Sequence, residues 1–566
     1  MKPMLWTALL GNKRKTECGA GCSWIPMVVR AASFALLQSA LMAQGPLDPA
    51  LLRKPATDAW PTYHGDYSGR HYSTLRQIND LNVNRLTLAW QYRMNTSTAG
   101  AIIGGEGPNT PPQGAGGFNP TIKSIPLMVN GILYFTAPDH AYAVDARTGR
   151  EIWHYFWKTQ GGIHIGSRGF GMYGNWLYFE TPDCYIVSLD ATTGKERWHH
   201  QIADVKQEYF CTPAPTVIGN HVLVGMGGDS LDVPGWLESR DPETGAVQWK
   251  WNATPRPGEP GAETWPDKYS MEHGGGMPWQ PPTYDPELNL LYVPTGNPNP
   301  VMAAQSRPGS NLYTASIVAL NPDTGKMAWW FQVSPHDTHD WDGTQVPVLF
   351  DSVIDGQPRK LLAQASRNGY YFLLDRATGK NVTTRMISDY ANWYVGVDTK
   401  GEPVRNPDKD PKVDGVLVSP GSGGFTNWPP PSYSPDTGLF YVGSNDTFSM
   451  FYLTDTDDHP QGYGAAERNA GNAGSLLRAM DARTGRTIWK RSTNVGAQGL
   501  LSTAGNLLFG GDGNGNFIAF NARTGRPLWH AGLNVNHSNG PSTWMLDGKQ
   551  YLIAGAGDTL YAFVLQ

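Results

Sequence analysis

Between His336 and Asp342 the chain places three aspartates and two histidines in seven consecutive residues, His336-Asp337-Thr338-His339-Asp340-Trp341-Asp342. Carboxylates at that density are hard oxygen ligands for a cation, and one of them can serve as a general base. The other reading of such a run is a solvated turn capped by its own side chains. Three further segments are polar or aromatic beyond what packing asks for: Gly225-Met226-Gly227-Gly228-Asp229-Ser230, Gly274-Gly275-Gly276-Met277-Pro278-Trp279 and Thr295-Gly296-Asn297-Pro298-Asn299-Pro300. Loops of this kind carry function when a rigid frame makes them converge.

The frame is written in a repeat. Six times an Asp or Asn is followed three residues later by Thr-Gly and eight residues later by Trp, starting at Asp145, Asp190, Asp241, Asn321, Asp481 and Asn521 and ending at Trp153, Trp198, Trp249, Trp329, Trp489 and Trp529. A degenerate copy at Asp375-Arg376-Ala377-Thr378-Gly379 lacks the tryptophan, and a partial one starts at Asp436. Copies begin roughly 40–60 residues apart, with one longer gap, a spacing that suits four short strands per unit. Each copy follows apolar or alternating runs such as Ile132-Leu133-Tyr134-Phe135 and Tyr185-Ile186-Val187-Ser188-Leu189, which read as strands. The expectation is an all-β fold, a β-propeller of about eight blades with tryptophan-docking repeats. In it the Asp caps a tight turn, Gly takes positive φ, and the Trp wedges between sheets with its N–H on a backbone carbonyl.

Composition agrees: 66 Gly, 44 Pro and 21 Trp in 566 residues suit a turn-rich all-β chain. A net charge of −5 gives no reason to expect nucleic acid or an anionic membrane as partner. Basic residues Lys13, Arg14, Lys15 and Arg30 precede Ala31-Ala32-Ser33-Phe34-Ala35-Leu36-Leu37, and small residues end at Ala43. Residues 1–43 therefore read as a secretory signal, with Met27 an alternative start, and 44–566 as the propeller; an uncleaved anchor is the other reading of the apolar stretch. Cys184 and Cys211 remain after cleavage, and sequence does not say whether they pair. No Cys-x-x-Cys-His occurs, which disfavours a covalently attached haem in the chain, and no Gly-x-Gly-x-x-Gly lies on a strand-to-helix turn.

Taken together, the segments resemble the pyrroloquinoline quinone (PQQ) dependent alcohol dehydrogenases, which are eight-bladed propellers. The likeness runs from Trp60-Pro61-Thr62-Tyr63-His64-Gly65-Asp66-Tyr67 to the last strands. It implies that Trp279 stacks on the quinone plane, that Asn297 binds the metal ion, that Asp340 is both catalytic base and metal ligand, and that Arg367 hydrogen-bonds the reacting oxygens. It implies further cofactor contacts at Arg168, Thr212 and Asn427. Asp342 matches an extra aspartate of the lanthanide-using methanol dehydrogenases, where the calcium forms have a small neutral residue; its alternative is a carboxylate turned to water. The cofactors implied are PQQ with Ca²⁺ or a lanthanide ion.

The chain departs from that family in four places. Gly162-Ile163 stands where the family has an adjacent cysteine pair over one face of the quinone. The family's acidic metal ligand aligns with Ser230, and a one-residue shift makes Asp229 the expected ligand. Lys123 replaces a glutamate and can pair directly with a cofactor carboxylate. Near Ala497-Gln498 a tryptophan is missing, which leaves a smaller, more polar floor. The activity implied is oxidation of an alcohol, or of an aldose, to a carbonyl, with electrons passed to a soluble cytochrome c or similar acceptor in the periplasm or outside the cell. The rivals are a non-catalytic propeller that binds a protein partner and a quinoprotein fold that has lost its cofactor.

Overall fold

Apolar runs broken by short left-handed turns make consecutive antiparallel hairpins. Leu127–Val129, Ile132–Ala137, His140–Asp145 and Glu151–Trp157 pair in that order, the first two across Asn130 and Gly131 and the next two across Asp139, all three at positive φ. The computed structural model describes residues 46–108, 121–228, 231–533, 535 and 539–566. The signal-peptide reading, the Asp229-Ser230 pair and most of the Gly104 to Gly117 insertion lie outside the described residues. The strand that leads into it, Ile102–Gly104, runs parallel to Glu151–Trp157 and lengthens the first hairpin sheet by one strand.

Among the described residues the strands form eight sheets of four or five strands, plus a two-stranded ribbon, Tyr394–Val397 with Pro403–Arg405. The chain closes on itself: Leu86–Arg93 pairs antiparallel with Thr559–Leu565, so both ends share one sheet. Closure of this kind leaves a ring of blades without a gap. Among the described residues helix is limited to Lys268–Glu272 and short 3₁₀ turns.

The repeat does the work its residue types suggest. Asp145 Oδ1 accepts both the Thr148 N–H and its hydroxyl at 2.9 Å, and Asp190, Asp241, Asn321, Asp375 and Asn521 cap their turns the same way. Gly149, at φ 71°, lies so close under Trp90 that a Cβ there would sit 2.6 Å from the indole. Glycine is thus needed twice over, for the backbone angle and for the close approach. Each indole N–H reaches the next sheet: Trp153 to Ala191 O, Trp198 to Glu243 O, Trp249 to Pro322 O, Trp329 to Arg376 O, Trp489 to Ala522 O, and Trp529 to Leu86 O at the seam. The blade without a docking tryptophan replaces it with two residues. Tyr371 donates to Ala482 O at 2.6 Å and Arg385 Nε to Thr484 O at 2.7 Å, both over Gly485.

Two features tie the loops down. Leu439–Leu453 and Ala465–Asp481 form a long hairpin whose tip accepts the Val301 and Met302 N–H groups at Gly462 O and Tyr463 O, while Asp232 Oδ1 accepts the Gly462 N–H. Cys184 and Cys211 form a disulfide spanning 27 residues, which joins one sheet to the segment entering the next.

Candidate active site

The acidic segment His336 to Asp342 is held from behind by buried groups. Arg307, fully buried, donates to Pro300 O, Val301 O, Asn311 Oδ1 and Asp337 O. Asp337 Oδ2 accepts the Trp341 N–H at 3.0 Å. The Trp341 indole is buried between His339 at 4.4 Å and Trp393 at 4.9 Å, and its N–H reaches Gly421 O. With Trp341 anchored inward, Asp340 and Asp342 project from either side of it onto a shared partner. Asp340 sits in the left-handed region at φ 67°, which Asp tolerates better than most residues and which is a common mark of a constrained functional position.

That partner is Arg367. Its Nη1 lies 3.4 Å from Asp340 Oδ1 and 3.2 Å from Asp342 Oδ2, and donates to Asp340 O at 2.5 Å. Asp342 is buried, its Oδ1 accepts the Asn297 N–H at 2.6 Å, and the Trp279 side chain beside it works against the effect of burial on its pKa. Burial raises its pKa, against the pull of Arg367. The Asn297 Nδ2 donates to Pro298 O and Asn299 Oδ1, which turns the amide oxygen the other way. Two carboxylates thus meet on Arg367 with Asn297 beside them, and oxygen-bearing groups of this kind suit a hard cation. Among the described residues no group of three or more His, Cys, Asp and Glu is placed to hold a metal ion, and the expected ligand Asp229, with Ser230, lies outside them.

Around Trp279 the site is cationic. The Arg168 guanidinium carbon lies over its ring at 4.7 Å, and that of Arg367 at 5.9 Å. Arg168 is buried, donates from Nη1 to Thr212 Oγ1 at 2.5 Å, leaves Nε unpartnered and has no carboxylate within ion-pair distance among the described residues. Burial lowers its pKa to about 10. Lys123 stands nearby, its ammonium on Ile165 O at 2.5 Å and its pKa lowered by burial and by Arg168. A buried cation such as Arg168 is costly without an anion beside it.

Lys123, Arg168, Thr212, Trp279, Asn297, Asp340, Asp342 and Arg367 therefore form one connected constellation. Asn427 is less directly placed: its amide donates to Gly423 O and caps Trp428 N within its own loop. Gln498, expected as a polar floor, is buried with Oε1 on the Gly511 N–H. Sequence reasoning passed over Arg307, assigned Asp337, Trp393 and Trp428 no role of their own, and left the pairing of Cys184 with Cys211 undecided. The aromatic richness of Asn427-Trp428 was the one available signal for Trp428.

The glucose/ethanol/alcohol dehydrogenase β-propeller domain of the PQQ family matches residues 60–386 and 473–552. The quinoprotein alcohol dehydrogenase PedH of Pseudomonas putida is 32% identical over 524 residues, covering 86% of this chain and 84% of its own. A quinoprotein ethanol dehydrogenase of Pseudomonas putida is 33% identical, over 93% and 92% of the two chains. Of solved structures, the quinohemoprotein alcohol dehydrogenase ADHIIG of Pseudomonas putida HK5 superposes with a TM-score of 0.81 at 30% identity, covering 92% of this chain and 82% of its own. A europium-containing methanol dehydrogenase gives 0.79 at 28% identity, over 91% and 99%.

Proposed function

The chain belongs to the PQQ-dependent glucose/ethanol/alcohol dehydrogenase family of β-propellers, a family of oxidoreductases, and from that premise we propose that it oxidises an alcohol to its carbonyl with PQQ on Trp279 and a Ca²⁺ or lanthanide ion between Asn297, Asp340 and Asp342. The observation that carries the reading is the joint geometry of Arg367 with both carboxylates and of Arg168 over the Trp279 ring. A flat indole, a buried arginine without a carboxylate partner and two neighbouring carboxylates fit an aromatic polycarboxylate with a bound cation.

When bound, PQQ with its ion supplies the two-electron acceptor. Asp340, the less enclosed of the two carboxylates, takes the hydroxyl proton of the alcohol on a carboxylate oxygen. Arg367 fixes that carboxylate in place through its backbone oxygen and side chain together. Asp342, held by Asn297 and Trp279, is the ion's extra carboxylate and favours a trivalent ion. Lys123 and Arg168 receive cofactor carboxylates, with Thr212 and Asn427 as further contacts, and Asp229 completes the ion's ligands.

The same reading extends to the surroundings. A soluble cytochrome c accepts the electrons, a role supported by the lack of Cys-x-x-Cys-His in the sequence. A periplasmic or extracellular setting is supported by the disulfide, which persists in oxidising compartments; no helix among the described residues is long and apolar enough to cross a membrane. Reconstitution of the apo-chain with PQQ and either Ca²⁺ or La³⁺, followed by dye-coupled oxidation of primary alcohols and aldoses, tests it. Turnover of alcohols with one of the ions is expected; PQQ binding with neither would leave a cofactor-free propeller.

A further inference from the structure

Trp428 lies on a loop that nothing in the constellation above needed, yet it faces the same point in space as Trp279. The Arg168 guanidinium carbon is 4.7 Å from the Trp279 ring centroid and 5.0 Å from that of Trp428, and lies over both rings. Two indoles thus turn their π faces on one small volume. The volume is occupied by a cation whose Nε is buried without a partner.

The loop that presents Trp428 is rigid on both sides. Phe425 N donates to Arg367 O at 2.7 Å, Asn427 caps the Trp428 N–H, and Pro429, Pro430 and Pro431 follow at once. The Pro430 carbonyl accepts the Leu500 N–H. Trp428 is held where it is by backbone contacts from three directions, while its ring remains half-buried, as Trp279 does. Two half-buried indoles that share one cation over their faces are costly to leave wet and well suited to a flat guest.

Resting on the PQQ reading, we infer that Trp279 and Trp428 are the two walls of a single aromatic slot for the planar quinone, with Arg168 withdrawing to the slot's edge to hold a cofactor carboxylate. The second face of the cofactor is then covered by an indole, in a chain that has glycine and isoleucine at 162 and 163. Arene stacking tolerates the offset that two indoles on different loops impose, and each face contributes on its own. Arg168 is already over both rings, so its movement is a short slide rather than a refolding of the loop.

The test is PQQ binding to the full apo-chain with La³⁺ present, followed by quenching of tryptophan fluorescence and by the visible absorbance of the quinone, without turnover. Trp279→Ala, Trp428→Ala and Trp428→Phe are compared, with thermal unfolding in the absence of PQQ as the folding control and Trp428→Leu as a less disruptive second variant. The expected result is that Trp428→Ala and Trp428→Leu each weaken binding on the order of tenfold to a hundredfold, as loss of one stacking face does. Trp428→Phe restores most of it. Wild-type binding that Trp428→Leu leaves unchanged, while Trp279→Ala weakens it, overturns the slot and leaves the PQQ reading standing. No wild-type binding overturns the PQQ reading itself, and the slot with it.

Discussion

Replacing Asp342 by Asn removes one charge from the ion site while keeping the oxygen that its neighbours use. Oδ1 accepts the Asn297 N–H at 2.6 Å and Oδ2 is 3.2 Å from Arg367 Nη1, so an amide of the same shape keeps the acceptor for Asn297 and gives up the ion pair with Arg367. What changes is the field at the ion. A unit charge about 4 Å away in a partly screened site is worth about 4 kcal/mol per unit of ionic charge. A trivalent ion loses that amount once more than a divalent one does. After allowance for relaxation and water, the preference for La³⁺ over Ca²⁺ is expected to fall on the order of a hundredfold. The assay is Tb³⁺ luminescence in the PQQ-loaded protein, sensitised by nearby tryptophan and displaced by La³⁺ or Ca²⁺. An Asp342→Asn protein with an unchanged La³⁺ to Ca²⁺ ratio, still folded and still loaded with PQQ, would refute the assignment of this carboxylate to the ion.

Other perturbations follow from the same geometry. Replacing Cys184 and Cys211 together by Ser opens a loop of 27 residues; loop entropy puts the loss at roughly 3–4 kcal/mol in denaturant titration, and an unchanged midpoint would contradict it. His64 and His71 are buried against each other at 3.1 Å, and burial lowers the His64 pKa from 6.5 to about 4. The unfolded chain then binds a proton that the folded chain refuses between those values, so this contribution is whole above pH 6.5 and is lost as pH falls toward 4. It amounts to roughly 3 kcal/mol. Asp337, raised by burial to about 6, works in the opposite direction, so the comparison is the pH slope of melting in His64→Gln against the parent, and equal slopes would count against it. Trp153→Ala removes a buried indole and its bond to Ala191 O, and is expected to cost about 3–5 kcal/mol in equilibrium unfolding; a loss below 1 kcal/mol would show that blade docking does not depend on this residue.

The blade plan was legible because its cause is local. Asp145, Thr148, Gly149 and Trp153 carry the cap, the left-handed turn and the docking ring within nine residues, and the structure uses them for those purposes. The clustering of Asp340 and Asp342 was legible for the same reason. Tyr371 and Arg385, which stand in for the missing tryptophan after Asp375, carried no such mark, since a tyrosine hydroxyl and a guanidinium find a neighbouring blade's carbonyl only once the blades are stacked.

By itself, then, the sequence determined a ring of tryptophan-docked β-blades and a short acidic segment able to meet a cation, because both are properties of residues close along the chain. Only the tertiary structure decided that Cys184 meets Cys211, that Arg307 braces Asp337 from behind, and that Trp428 faces the same point as Trp279. Those contacts join residues far apart along the chain, in loops that the stacked blades bring together. Their partners are selected by the closure of the ring, a global geometric condition that no local spacing records.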